Sequence, residues 1–221
     1  MRLAGLSNDL GAGIAPKLKD ETMKKMIALA ALATCGFGAV QAQESPWMLR
    51  VRATHLDMAN KDSTPLNLTV NNKTIPEVDV SYFFNKNVAA ELILTVPQRQ
   101  TVYSGGADIG TFKHLPPTLL LQYHFTDLGA YKPYVGAGIN YTKISSVGLD
   151  AGTSLNPVTL DSHSWGGALQ LGVDIPLDRN WSLNFDVKKI YIRTDVYSNG
   201  VSAGVLKLDP LAASVGLGYR F

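Results

Sequence analysis

The sequence predicts an all-β protein: an eight-stranded antiparallel transmembrane β-barrel. Three observations lead there. Apolar and polar side chains alternate with a period of two in eight separate segments. The connections between those segments alternate short and long. Aromatic residues gather at the segment ends.

Successive side chains of a strand point to opposite faces of a sheet, so each segment divides into two rows. In the first, Trp47, Leu49, Val51 and Ala53 oppose Arg50, Arg52 and Thr54. In the second, Val78, Val80, Tyr82 and Phe84 oppose Glu77, Asp79 and Ser81. In the third, Val88, Ala90, Leu92 and Leu94 oppose Ala89, Glu91, Ile93 and Thr95. The fourth sets Leu119, Leu121, Tyr123 and Phe125 against Thr118, Leu120, Gln122 and His124. The fifth sets Val135, Ala137, Ile139 and Tyr141 against Tyr134, Gly136, Gly138 and Asn140. The sixth sets Trp165, Leu169, Leu171, Val173 and Ile175 against Gly166, Ala168, Gln170, Gly172 and Asp174. In the seventh, Trp181, Leu183, Phe185 and Val187 oppose Ser182, Asn184, Asp186 and Lys188. The last carries Leu211, Ala213, Val215, Leu217, Tyr219 and Phe221 on its apolar row. Each segment holds about 9 to 13 residues, close to the length a tilted strand needs to cross a bilayer.

Short connections at 85–87, 126–130 and 177–180 alternate with long polar ones near 60–73, 98–113, 145–163 and 194–206. That is the pattern of an outer-membrane barrel, with short periplasmic turns and long outer loops. With this orientation Trp47, Phe84, Phe125, Tyr131, Trp181, Tyr219 and Phe221 fall at the periplasmic end, while Tyr141 and Trp165 fall at the other. An aromatic girdle is expected at each interface. A soluble sandwich also has period-two strands, but it has no reason to sort aromatic residues by strand end. Closure is required because an open edge would leave backbone groups unpaired in hydrocarbon.

The N-terminal region carries a targeting signal. Met23-Lys24-Lys25 is a positive start, Met26 to Val40 an apolar stretch, and Val40-Gln41-Ala42 a small-residue cleavage signal. Residues 23–42 are therefore read as a signal peptide and 43–221 as the barrel. Residues 1–22 serve no targeting logic and are read as preceding a mis-assigned upstream start. The only cysteine, Cys35, lies within the apolar stretch. A lipoprotein reading with lipidation at Cys35 is the alternative, but threonine suits the preceding position poorly. Residues 1–42 hold five of the 20 basic and three of the 18 acidic residues, which leaves 15 of each in the barrel. A balanced charge without a basic patch gives no support for nucleic-acid binding.

The inward rows define what the barrel could do. Arg50, Arg52, Lys132, Lys188 and Arg220 face inward with Glu77, Asp79, Glu91, Asp174 and Asp186. Opposite charges in equal number predict paired ions that plug a lumen too narrow for a water channel. An ion path through the same residues is the alternative. Ile93 and Leu120 are inward yet apolar, and Pro97, Leu115, Pro116 and Pro117 flank them on the loop side. Such a set either lines an outward-opening apolar pocket or simply packs the loops. His55, His114, His124 and His163 lack metal-ligand spacing, and no G-x-S-x-G elbow occurs, so neither a metal, a cofactor nor an enzyme activity is expected. Gly136-Ala137-Gly138 reads as inward small residues that relieve crowding in the lumen.

Several stretches carry a family resemblance. WMLRVRATHLD from Trp47, VAAELILTVP from Val88, KHLPPTLLLQYHF from Lys113, YKPYVGAGINYT from Tyr131, DSHSWGGALQLGVD from Asp161 and LDPLAASVGLGYRF from Leu208 follow in order along the chain. Together they resemble the OmpW family of small outer-membrane barrels. The resemblance implies an eight-stranded barrel of the bacterial outer membrane that takes up small hydrophobic molecules passively. The solute would enter an apolar channel from outside and leave sideways through a gap in the wall. Pro97, Pro116 and Pro117 are expected near that gap, since proline interrupts ladder bonding. Ile93 matches an inward apolar residue at the channel base, whereas Lys188 stands where some relatives carry an aromatic residue. The partners implied are small hydrophobic solutes and outer-membrane lipid. The barrel-assembly machinery is a further one, through the C-terminal strand ending in Phe221. A surface barrel whose loops bind host factors, phage or toxins, or a narrow ion channel, would use the same fold differently.

Overall fold

The computed structural model describes residues 45–150, 152 and 157–221. The expected leader 23–42, the upstream segment 1–22 and Cys35 lie outside the described residues. Among the described residues there are fifteen strands: β1 (Trp47–Asp57), β2 (Lys61–Asp62), β3 (Leu68–Val70), β4 (Lys73–Phe83), β5 (Val88–Thr95), β6 (Gln98–Ser104), β7 (Ala107–Leu115), β8 (Thr118–His124), β9 (Lys132–Leu149), β10 (Val158–Leu160), β11 (His163–Pro176), β12 (Trp181–Ile190), β13 (Arg193–Ser198), β14 (Val201–Lys207) and β15 (Leu211–Arg220).

Eight of these close a ring in the order β1, β4, β5, β8, β9, β11, β12, β15 and back to β1, every neighbour antiparallel. Each of the eight strands is paired on both sides, so the ring has no edge strand, as hydrocarbon demands. Each ring strand alternates buried and exposed residues, but with the polarity reversed from a soluble protein. Ile139 is 55% exposed while its neighbour Asn140 is 0% exposed. Leu121, Leu169, Leu171, Phe185 and Val215 likewise face outward. An apolar belt of this kind is stable only against lipid.

Aromatic pairs mark both rims of the belt. At the short-turn end Trp47 meets Tyr82 at 4.9 Å, Tyr123 meets Phe125 at 5.1 Å, and Trp181 meets Tyr219 at 5.0 Å between ring centres. At the other end Tyr141 and Trp165 lie 4.8 Å apart, on directly paired positions of β9 and β11. The short turns are held by their own side chains. Asp178 accepts hydrogen bonds from the backbone N–H groups of Asn180 at 2.8 Å and Trp181 at 2.7 Å, which hold its carboxyl below the usual carboxylate range. The two ends of the barrel meet there too, since Ser45 N donates to Phe221 O at 2.8 Å.

One expectation needs correction. The long polar connections near 60–73, 98–113, 145–163 and 194–206 are largely strands. They hold β2 and β3, β6 and β7, the outer part of β9 with β10, and β13 with β14. These extend the sheet beyond the outer aromatic rim. The reason lies on their inner faces: Leu68, Val70, Val102, Phe112, Val158, Val196 and Leu206 are all buried in a single apolar cluster. Above the membrane the outer face meets water and carries residues such as Arg99 and Lys113. The average composition of the segment is therefore polar, while one row of each strand remains apolar.

Candidate functional site: an apolar cluster above a charged plug

The interior divides along the barrel axis. Its lower part is a network to which all eight ring strands contribute. Arg50 on β1 grips Asp174 of β11 through Nε–Oδ1 at 3.3 Å and Nη2–Oδ2 at 2.8 Å. Its Nη1 also donates to Ser81 Oγ at 2.8 Å, Asp79 Oδ1 at 3.2 Å and Glu91 Oε1 at 3.4 Å. Arg52 donates to Glu91 Oε1 at 2.8 Å, Glu77 Oε1 at 3.0 Å and Asn184 Oδ1 at 2.8 Å. Its Nη2 lies 3.1 Å from Asp79 Oδ2, an ion-pair distance at an angle that makes no hydrogen bond. Lys188 donates to Glu77 Oε1 at 2.8 Å and Asp186 Oδ1 at 2.5 Å, and its Nζ is 3.5 Å from Ser214 Oγ of β15.

Neutral groups complete the network. Gln170 bridges Glu91 at 2.8 Å and Asp186 at 2.7 Å, and accepts from Gln122 of β8 at 2.9 Å. Tyr134 of β9 donates to Asp186 at 3.0 Å, stacks on His124 with ring centres 4.8 Å apart, and lies under the Arg50 guanidinium. That ring fits because position 172 is glycine: a Cβ there would stand 2.3 Å from Tyr134 Cζ. Gly138 serves a similar purpose, since its Cβ would meet Leu119 O at 1.9 Å. Bidentate, charge-assisted contacts in a site shielded from water are the strong kind. Removing one partner of such a pair strands the other as a buried charge, so the arrangement is held as a unit.

Two of the ten residues expected in the plug stand apart from it. Lys132 is half-buried at the periplasmic end, and Arg220 lies over the Phe83 ring at 4.2 Å and donates to Ser45 O at 3.0 Å. Both line a depression at the periplasmic mouth with Met48, Phe83, His124 and Asp174. Their strands end there, so the inward row runs out into the mouth before it reaches the plug. The plug therefore contains three basic and five acidic side chains, not the equal numbers expected.

Ile93 and Leu120 form the step between the plug and the apolar cluster above it. Ile93 is paired with Asp79 on one side and Thr118 on the other, and Leu120 with Glu91 and Gly138; both apolar side chains are buried. Above them the interior is mainly apolar, with Leu56, Ile75, Ala168, Ile190 and Ala212 followed by the inner faces of the outer strands, and with Thr118, Asn140 and Thr142 buried among them. Of the flanking residues, Pro116 is buried, Leu115 and Pro117 are half-buried on the outward phase of the strand, and Pro97 is exposed. They belong to the wall more than to the chamber lining.

That wall is interrupted. β5 pairs with β8 as far as Ile93 opposite Thr118, and pairing resumes only at Gln98 opposite His114 between β6 and β7. Residues 94–97 and 115–117 face one another without ladder pairing, because Pro97, Pro116 and Pro117 have no N–H to give. The Gln98 side chain caps the break by donating to Val96 O at 2.8 Å. On the other side the wall is intact, with Tyr141 N donating to Pro117 O at 3.1 Å. Just below the break, Leu119, Leu121, Ala137 and Ile139 line an apolar groove on the lipid-facing surface.

Comparison with known proteins assigns this arrangement. The model of the OmpW family matches residues 37–221. The chain belongs to the OmpW family. Among its relatives is an outer-membrane protein of Sinorhizobium fredii, y4mB, 43% identical over 194 residues, covering 82% of each chain. Another is the dibenzothiophene metabolism operon protein PahQ of Pseudomonas aeruginosa, 28% identical over 214 residues, covering 90% of this chain and all of the relative. Among solved structures, the outer membrane protein OprG of Pseudomonas aeruginosa superposes with a TM-score of 0.69 at 26% identity, over 83% of this chain and 99% of that one. This OmpW-family chain is thus a protein of the bacterial outer membrane.

Gln98, Gln100, Val102, Phe112 and His114, buried on the inner faces of β6 and β7, are not among the interior residues expected from the sequence. Their signal was present as a period-two run, Gln98, Gln100 and Val102, hidden by the polarity of two of its three members.

Proposed function

We propose that the protein is a passive uptake route for small hydrophobic molecules, which enter the apolar chamber from outside and leave sideways into the membrane. The observation that carries the reading is the abrupt change at Ile93 and Leu120 from a charged, ion-paired floor to a mainly apolar interior. A greasy solute gains by leaving water for such an interior, by about 25 cal/mol per Å² of apolar surface. It cannot continue along the axis without breaking the ion pairs below, whereas the wall beside it lacks ladder pairing at 94–97 and 115–117. The energy of transport is the concentration gradient, so no cofactor is needed. The name of the relative PahQ, which places it in an operon for dibenzothiophene metabolism, supports the same class of solute. Dibenzothiophene is an uncharged, apolar tricycle.

The reading is tested by uptake of a labelled hydrophobic solute into cells with the protein, without it, and with Ile93→Arg. The charge introduced at the chamber floor is expected to reduce uptake to the level of cells lacking the protein. Equal rates in all three strains would rule out transport through the chamber. We further infer that the barrel-assembly machinery engages the C-terminal strand ending in Phe221, whose deletion is expected to lower barrel yield in membranes.

A further inference from the structure

The outer wall of the chamber contains polar groups that the protein leaves unsatisfied. On the β6–β7 hairpin Gln98, Gln100 and Val102 face inward from one strand and Phe112 and His114 from the other. Gln98 is opposite His114 and Gln100 opposite Phe112, so Gln100 and His114 sit on one diagonal of the same face, about 7–8 Å apart. Gln98 is satisfied through Val96 O and Thr95 Oγ1. Gln100 is not: it is 0% exposed, and neither its Oε1 nor its Nε2 has a hydrogen-bond partner. His114 Nδ1, also buried, lacks one as well.

Each such atom is destabilising relative to a satisfied group. A wall that had only to seal the chamber would carry leucine at both positions, as the same cluster does at Leu68 and Leu206. Three unsatisfied atoms thus lie on one face, next to the Phe112 ring and inside an apolar cluster.

We propose that the chamber prefers solutes with an apolar body and one uncharged oxygen function, a hydroxyl or a carbonyl, bonded by the Gln100 amide and His114 Nδ1. This deepens the uptake reading above and rests on it. The Gln100 amide can donate to a carbonyl or accept from a hydroxyl, and a neutral imidazole can do either according to its tautomer. Burial, together with the nearby Lys73 ammonium, pushes His114 down to about 4, so the ring is neutral at physiological pH. Lys73 is itself engaged with Arg99 O at 2.9 Å. The apolar cluster around Gln100 and His114 disfavours an ionised head group.

The test compares 1-naphthol with naphthalene, two probes of one shape that differ by a hydroxyl. Their equilibrium binding is measured on the full barrel in lipid nanodiscs, with empty nanodiscs subtracted. The wild-type protein is expected to bind 1-naphthol about tenfold more tightly than naphthalene, the worth of one or two hydrogen bonds. In Gln100→Leu/His114→Leu that ratio is expected to fall to near one, with naphthalene binding retained. A ratio near one in the wild type, or a ratio that survives both substitutions, would overturn the polar-contact proposal while leaving the chamber standing. Failure of both probes to bind the wild type would overturn the chamber reading itself. Folding of the double variant is checked by resistance to denaturation, which should rise because unsatisfied polar atoms are removed. If that variant does not fold, the single substitutions Gln100→Met and His114→Phe are each expected to lower the ratio, and no change in either would overturn the proposal.

Discussion

The lower and upper halves of the interior are built from the same strands with the same alternation, yet they are held together in opposite ways. Below Ile93 the inner row is ionic, and side chains far apart in sequence are tied in pairs such as Arg50 with Asp174. Above it the inner row is mainly apolar and packs by shape, with a few local hydrogen bonds such as that from Asn140 to Thr118. The outer row at membrane height is apolar throughout, because lipid faces it at every level. The barrel's exterior thus constrains the fold, while each level of the interior is free to take a different chemistry. A charged half beneath an apolar half gives the interior a floor at Ile93 and Leu120, which a uniform filling of either kind would not.

Substitutions in the two halves should therefore fail differently. The largest effect is expected from Arg50→Met, which leaves Asp174 without its cation and Asp79 and Glu91 with Arg52 alone. It should cost about 3–5 kcal/mol or more, read as a lower urea midpoint for unfolding from lipid vesicles. If Arg50→Met were nearly neutral, the plug would be filler and the contrast between the halves would disappear.

A second test uses pH. His114 is held neutral down to about 4, against an ordinary value of 6.5, so between these limits the unfolded chain binds more protons than the folded one. Its contribution is complete above pH 6.5 and is lost progressively as the pH falls towards 4. The difference in stability between the wild type and His114→Leu, followed over that window, isolates this group. A difference that does not change with pH would mean that His114 is not enclosed by the chamber wall.

Gly172→Val should come next, at about 1–3 kcal/mol, because the new side chain meets the Tyr134 ring and displaces it from Asp186. Displacement of Tyr134 should appear as a change in tyrosine fluorescence as well as in stability. The smallest effect is expected in the upper half, where Ile144→Val removes one methyl group from the apolar cluster for about 1 kcal/mol. An Ile144→Val cost as large as that of Arg50→Met would show that the upper half is as tightly specified as the plug.

Much of this was legible from the chain alone. The eight ring strands, their phase and the inward set from Arg50 to Lys188 follow from a period of two, which is a local property of the backbone. The break beside Pro97, Pro116 and Pro117 was legible for a similar reason, since proline lacks an N–H wherever it stands. The outer strands were not, because averaging over their water-facing row concealed the buried row that includes Val102, Phe112, Val196 and Leu206.

Partnership was the other thing hidden. Nothing near Arg50 in sequence indicates that it meets Asp174, 124 positions away, or that Lys132 and Arg220 fall outside the plug while Tyr134 enters it. Alternation determines which face of a strand a side chain occupies. Its height along the axis, and so the ion it meets, depends on how each strand is staggered against its neighbours when the ring closes. Sequence by itself determined the cylinder and its inward list; closure decided the pairings, the level of the floor at Ile93 and Leu120, and the unsatisfied Gln100 and His114 above it.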